Sequence, residues 1–370
     1  MPTKTDLPVL TLRELNRALL ARQMLLRRQR VGVVDAIERL ACLQGQWAPS
    51  PYVALWTRLA GFKRDDLRAP IDKGEVIKAT LMRATLHLVS AAEYPAYALA
   101  TLDGRFAAWR PPGGPDLAAL KDIHDKVFAF AAQTPRSRDA IRDHIARDAP
   151  KDERLRNWYL WAAVTASGII WEKSGAYWEY RQLARFVAPP AKLRKAPKPD
   201  AAFDLVTRRY LDAFGPSTVG DLANWTGCRV PPLREALGRI KDIRRFRDER
   251  GRALFDLAKA PRPPADTPAP ARFLARFDAA ILGHDAAERT RILPAEYKKQ
   301  VIFSAEVWTT FLVDGFVAGR WKIVATPKQA VLELLPFKKL AKSDQAALVE
   351  EGERLVRFYY PEATAHGVKA

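Results

Sequence analysis

A chain of 370 residues that is 48% hydrophobic can bury a large core in roughly two to four compact units, which excludes a disordered tail. Its 61 Lys and Arg against 42 Asp and Glu leave a formal charge of +19, so a polyanion is the expected partner and nucleic acid the first candidate. No apolar run approaches the roughly 20 residues that cross a bilayer, the opening MPTKTDLPVLTLREL lacks an export pattern, and Cys42 and Cys228 make no disulfide framework. A cytoplasmic protein without membrane contact is expected.

Thr11 to Glu14 spells a capping box, and the Leu12, Leu15, Leu19 spacing predicts a helix to about Arg28. Further helices are expected over Val33 to Gln44, Tyr52 to Leu59 and Ala91 to Leu99, with a strand over Ala84 to Val89. These make a first winged-helix unit, residues 1–110, closed by the breakers at 110–116. A second unit, 111–190, holds a helix over Leu117 to Phe130, one capped by Thr134 with Pro135 at its first position, and one over Leu155 to Ala166. Ile169 to Tyr180 then reads as a hairpin turning at Ser174-Gly175. Beyond a basic, proline-rich connector at 188–200 comes a third unit, 200–260. There Phe203 to Phe214 is helical, Gly215-Pro216 stops it, Ser217 caps a second helix, Pro232 precedes a third, and Ile243 to Leu257 forms a wing tipped by Arg247 to Arg252. Another proline-rich connector, Pro261 to Ala271, introduces a β-rich domain, 270–370, with an Asp314-Gly315 turn and a helix from about Lys338 to Tyr359. The expected fold class is α+β, mainly α with β wings: three tandem winged-helix units plus a C-terminal β-rich domain.

The chain has no Walker phosphate loop, no nucleophile elbow and no cluster of His and Cys at metal-ligand spacing, so neither cofactor nor metal is expected. Its histidines, His87, His124, His144, His284 and His366, are scattered. The unusual segment is Gln44-Gly45-Gln46. On the expected helix Gln44 shares a face with Val34, Ile37, Leu40 and Ala41, so its buried amide either finds a neighbour or lines a cavity. Gln44 and Gln46 would point roughly 160° apart on a continuous helix, and would converge only if the helix yields at Gly45. The plainer alternative is a glycine stop flanked by two solvated or internally bonded glutamines. Arg27, Arg28 and Arg30 form a basic cluster just ahead, suited to phosphates or to a solvated helix end. His87, on the strand face opposite Leu86 and Leu88, either approaches DNA or packs. Between two apolar runs, Gly283 to Arg291 reads as a hairpin placing His284, Arg289 and Arg291 in a groove, or as an ordinary charged loop.

Together these residues resemble the AlkZ and YcaQ family of bacterial DNA glycosylases. Gln44-Gly45-Gln46 matches that family's Gln-x-Gln form, with Gly45 where an aliphatic residue is usual. Leu55-Trp56-Thr57-Arg58, the run from Met82-Arg83 through His87 to Val89, Phe214-Gly215-Pro216 to Trp225, Arg272 to Asp278 and Val313 to Gly319 match in order and spacing. The resemblance implies a monofunctional glycosylase, monomeric and nucleoid-associated. It would cleave N7-alkylated purines from double-stranded DNA, extending to bulky adducts and interstrand crosslinks. Gln44 and Gln46 would be catalytic, and Arg58, Arg83 and a hairpin at 283–291 would contact DNA. A winged-helix transcription regulator and a non-catalytic lesion-binding protein are the alternatives.

Overall fold

The computed structural model describes residues 7–108, 110, 114, 116, 118, 120–180 and 184–370, so the boundary expected at 110–116 falls largely outside the described residues. Strand β1 (Val9–Leu10) leads into α1 (Leu12–Arg22), which Thr11 opens with the capping box: its Oγ1 accepts from the Glu14 amide at 3.2 Å. The helix ends earlier than its apolar spacing suggests, because Met24 turns left-handed at φ 54°. There follow α2 (Val33–Arg39), β2 (Leu43–Gln44), α3 (Ser50–Arg58), α4 (Arg64–Lys73), β3 (Val76–Thr80) and β4 (Leu86–Ser90). The three strands pair in the order β2-β4-β3, and α5 (Tyr94–Ala100) and α6 (Leu102–Ala107) lead away from them.

The same order of elements then recurs: α7 (Lys121–Gln133), β5 (Arg136–Ser137), α8 (Arg138–His144), α9 (Glu153–Ala166), β6 (Ile170–Trp171) and β7 (Arg185–Val187), with strands ordered β5-β7-β6. Two expectations are corrected here. Ser137, not Thr134, caps α8, its hydroxyl accepting from the Ala140 amide at 3.1 Å. The hairpin expected at Ile169 to Tyr180 is instead a 3₁₀ turn at Lys173–Ala176, and β6 pairs with β7. Gly175 permits this, since a Cβ there would lie 2.8 Å from Cε3 of the Trp171 indole on which the turn folds back.

Next come α10 (Pro199–Phe214), α11 (Val219–Thr226), α12 (Val230–Arg239), β8 (Ile243–Asp248) and β9 (Ala253–Leu257). Here the strand between the first two helices shrinks to a bridge from Ser217 to Phe255, and β1 joins β8 in parallel, so the chain's start completes this sheet. Thr218, one residue beyond the expected Ser217, caps α11 in a reciprocal box with Asp221. Last come β10 (Arg272–Leu274), α13 (Ala279–Leu282), α14 (Lys298–Val301), β11 (Ile302–Phe303), β12 (Glu306–Val307), β13 (Thr310–Val313), β14 (Phe316–Ala325), β15 (Gln329–Pro336), α15 (Lys342–Tyr359) and β16 (Ala365–Lys369). A five-stranded sheet, β10-β13-β14-β15-β16, packs against α15, and Asp314-Gly315 turns β13 into β14.

The cores follow a different partition from the chain. Leu19, Tyr97, Tyr210, Phe214, Trp225 and Leu274 belong to one cluster that welds the first and third units to the C-terminal domain. The second unit gathers most of its core round Ile123, Val127, Ile141, Ala162 and Phe186, joined by Phe106 of the first unit, while its Ile170, Ala176 and Trp178 pack into clusters of the first. The two units are thus sewn together along one side, and a cleft opens between Gln46 and α9.

Candidate active site

Gln44 does not lie on a helix. After α2 ends, Ala41 and Cys42 both take left-handed conformations, φ 54° and 79°, and swing the chain into β2. There Leu43 pairs with Leu88 and Gln44 with His87. The Gly45 amide continues the ladder to the Leu86 carbonyl at 2.8 Å, and the Leu86 amide donates to Gln46 Oε1 at 3.2 Å. The expected helix over Val33 to Gln44, yielding at Gly45, is thus replaced by an extended segment pinned to β4. Gln46 is exposed and lines the cleft; Gln44 is buried beside Gln23, Ser50 and Arg58, with its Oε1 turned to Arg83 Nη2 at 3.4 Å. Gly45 is required for close approach: a Cβ there would stand 2.7 Å from Leu88 Cδ1 and 3.5 Å from Lys78 Cε.

The surroundings of Gln44 are polar and positive. Arg83 sits at φ 52°, and its Nη1 donates to the Trp225 carbonyl at 2.6 Å. Burial, then the nearby Arg289, push its pKa down to about 10, which still leaves it charged at neutral pH. Arg289 is half-buried. His87 is buried, and its Nδ1 donates to the Thr85 carbonyl at 3.0 Å. Burial and then Arg83 press its pKa down to about 3, so the ring is neutral. Lys78 runs beneath Gly45 to the second unit, where Nζ donates to the Gly175 carbonyl at 2.8 Å and lies 4.4 Å from the Trp171 ring centroid. Burial lowers its pKa to about 8.

Across the cleft, which encloses about 450 Å³, the second unit presents Arg138, Arg142, Asn157, Trp161 and Trp171. None of these was singled out from the sequence. The available signal was the spacing of Asn157, Leu160, Trp161, Val164 and Thr165, a helical face on α9 roughly opposite the one that fills the core.

Several residues expected on DNA are engaged inside the protein. Arg58 is 1% exposed and grips Asp278 through Nη1 and Nη2 at 2.9 and 2.7 Å. Arg28 pairs with Glu351 at 2.6 Å and lies over Trp56. His284 is buried against the Phe214 carbonyl, 3.0 Å from Nε2, and Arg291 is buried with Nη1 on the Pro216 carbonyl at 2.7 Å. Residues 283–291 are consequently no hairpin but a loop and a 3₁₀ turn clamped to the third unit. His87, buried as described, is likewise not on the surface. The exposed hairpin of this region is β11–β12, whose Phe303 is 73% exposed. The charged tip of the β8–β9 hairpin, expected to be a wing, is also neutralised, Arg252 being held by Asp248 and Glu288. Arg27 and Arg30 remain exposed, and neither forms an ion pair among the described residues.

A family model described as DNA glycosylase AlkZ-like matches residues 37–358. The chain belongs to the AlkZ-like DNA glycosylases. An AlkZ-like relative from Streptomyces sahachiroi, an interstrand DNA cross-link repair glycosylase, is 26% identical over 357 residues, covering 91% of this chain and 93% of its own. The solved structure of Streptomyces sahachiroi DNA glycosylase AlkZ superposes with a TM-score of 0.77 at 21% identity, covering 97% of this chain and all of that one, so the AlkZ-like fold extends over the full length. Among the described residues, no three His, Cys, Asp or Glu side chains gather at metal-binding distance, and no helix is long and apolar enough to cross a membrane.

Proposed function

We propose that the protein hydrolyses the N-glycosidic bond of N7-alkylated purines in double-stranded DNA and leaves an abasic site, using Gln44 and Gln46. The observation that carries this reading is the pinned Gln44-Gly45-Gln46 segment, whose Gln46 faces an open cleft with no carboxylate among its described lining residues. A purine alkylated at N7 is already cationic, so its bond to the sugar breaks without a strong acid. Two carboxamides then suffice to hold water against the anomeric carbon and to turn carbonyl dipoles towards an oxocarbenium-like transition state. Neither glutamine is a base at neutral pH, which restricts the enzyme to lesions that leave easily.

In this reading the Arg83 contact orients Gln44, and Gln46 exchanges its bond to Leu86 for the reacting water. Arg27 and Arg30 bind backbone phosphates, and the repeated helical units are winged helices that cradle the duplex. The cross-link repair named for the Streptomyces relative supports an extension to bulky adducts and interstrand crosslinks. Duplex DNA carrying N7-methylguanine tests the reading. Free base and alkali-labile sites are expected from the wild type, and at least 100-fold slower release from a Gln44→Ala, Gln46→Ala double variant. Binding without release, or uracil excised as fast as N7-methylguanine, overturns it.

A further inference from the structure

A second, much smaller cavity adjoins Gln44. Its polar lining brings together Gln23, Gln44, Ser50, Arg58, Arg276 and Asp278. The space open to the centre of a water molecule is about 10 Å³, the least that holds one water and too little for any larger ligand. Helix α3 supplies one side, since Ser50, Ala54 and Arg58 follow one another at one-turn spacing and all line the cavity. Serine in the first turn of a helix ordinarily spends its hydroxyl on a backbone group. Here α3 has no side-chain cap, and Ser50, 2% exposed, leaves its Oγ without a hydrogen-bond partner among the described residues. Arg58 donates to Asp278 and to the Ala54 carbonyl through its terminal nitrogens and leaves Nε unpartnered, as Arg276 does. A buried polar atom without a partner costs free energy, and three residues that carry one border this single cavity.

Gln44 is incomplete in the same way. Its Oε1 takes the 3.4 Å bond from Arg83 Nη2, and its Nε2 donates to no protein group among the described residues. One long bond at one end leaves the plane of the amide free to turn. The two arginines of the lining are already paired, Arg58 with Asp278 and Arg276 with Glu306, so the site calls for a neutral ligand. Resting on the catalytic reading of Gln44 above, we propose that this cavity is a single-water site that orients Gln44. The water accepts from Gln44 Nε2 and donates to Ser50 Oγ, and an arginine Nε–H supplies a further bond, which gives it the roughly three partners usual for a buried water. Arg83 then fixes the oxygen end of the amide and the water its nitrogen end, so the carbonyl dipole is set before a lesion arrives. Ser50 is a positioning residue: it is buried out of reach of DNA and acts through the water.

Two substitutions of equal shape separate the hydroxyl from its packing. Ser50→Thr keeps Oγ and adds a methyl, whereas Ser50→Val puts a methyl in place of the hydroxyl. A high-resolution crystal structure of the wild type is expected to show one ordered water within roughly 2.7–3.2 Å of Gln44 Nε2 and Ser50 Oγ. Ser50→Thr should retain it, and Ser50→Val should lose it, with the Gln44 amide turned. Ser50→Val should also release N7-methylguanine about 3- to 10-fold more slowly than Ser50→Thr under single turnover, while both bind a duplex carrying uncleavable 2′-fluorinated N7-methylguanine as tightly as the wild type. Thermal melts exclude unfolding, and if either variant fails to fold, Ser50→Ala against the wild type reads the same difference. A dry cavity, or Ser50 Oγ bonded to a protein group, overturns the site. Equal rates in the two variants, or a rate loss matched by an equal loss of binding, overturns the positioning role. Failure of the wild type to release N7-methylguanine overturns the glycosylase reading instead, and the pose of the Gln44 amide in the two variants still decides whether the water orients it.

Discussion

Replacing Gly45 tests the register of the two glutamines directly. A Cβ at this position falls 2.7 Å from Leu88 Cδ1, inside the distance real side chains tolerate, and 3.5 Å from Lys78 Cε, an ordinary contact; Leu88 is itself 1% exposed. Relief must come from Leu88 repacking or from β2 lifting off β4. Overpacking of this size costs about 1–3 kcal/mol. If the strand lifts, it stretches the Gly45–Leu86 bond of 2.8 Å and the Leu86–Gln46 bond of 3.2 Å together. A displacement approaching 1 Å at reacting groups is worth up to about 100-fold in rate. Gly45→Ala is therefore expected to unfold at lower denaturant and to release N7-methylguanine about 10-fold or more slowly under single turnover. Leu88→Ala removes the obstructing methyl. Adding it to Gly45→Ala should cost less than the two single changes summed, by about 1 kcal/mol or more, with part of the rate recovered. A Gly45→Ala protein with wild-type stability and rate would refute the claim that this glycine is required for close approach.

Two further outcomes separate structural from DNA-binding roles. Arg58→Ala leaves Asp278, 3% exposed, without its bidentate partner, so a stability loss of about 3–5 kcal/mol in urea unfolding is expected, with no change in the salt dependence of DNA binding; unchanged stability with a shallower salt slope would return Arg58 to the DNA interface. His87 has a pKa of about 3 in the folded protein against an ordinary 6.5. Both states are neutral above that ordinary value, and stability is complete there. As pH falls from about 6.5 towards 3, the unfolded chain takes up a proton that the folded one refuses, and stability declines by up to about 1.4 kcal/mol per pH unit. His284 is depressed in the same direction, so the measurement is the difference between wild type and His87→Gln, expected to be one proton over this range; identical slopes would show that His87 takes up its proton as readily in the folded chain as in the unfolded one.

How far each feature could be read from sequence depends on the range of the physics behind it. The capping box of Thr11 and Glu14, the stop at Gly215-Pro216 and the Asp314-Gly315 turn are local, and each sits where its residues indicate. The end of α2 was not legible, because left-handed backbone normally announces itself through Gly or Asn, and here Ala41 and Cys42 adopt it. That one unannounced turn moves Gln44 from a helix to a strand, where it is buried beside Arg58 while Gln46 is exposed in the cleft. The fates of Arg58, His284 and Arg291 were hidden for another reason. Each is settled by a partner distant in the chain, Asp278, Phe214 and Pro216, and a basic residue destined for a buried carboxylate looks the same in sequence as one destined for a phosphate. The glutamine pair stood out in the sequence and the family resemblance supplied its catalytic reading; the opposite wall of the cleft emerged only with the packing of α9.

The seam between the first and second units sets the aperture of the cleft. Around the inner turn, Lys78 Nζ donates to the Gly175 carbonyl, Tyr52 Oη to the Ala176 carbonyl at 3.2 Å and Tyr94 Oη to the Gly168 carbonyl at 3.4 Å, while Lys173 and Tyr177 both hold Asp72 and Arg68 pairs with Glu179. None of these ties involves β2 or the Gln44-Gly45-Gln46 segment. The width of the cleft and the register of the glutamines are therefore set by different residues, as a vice moves one jaw while the other stays fixed.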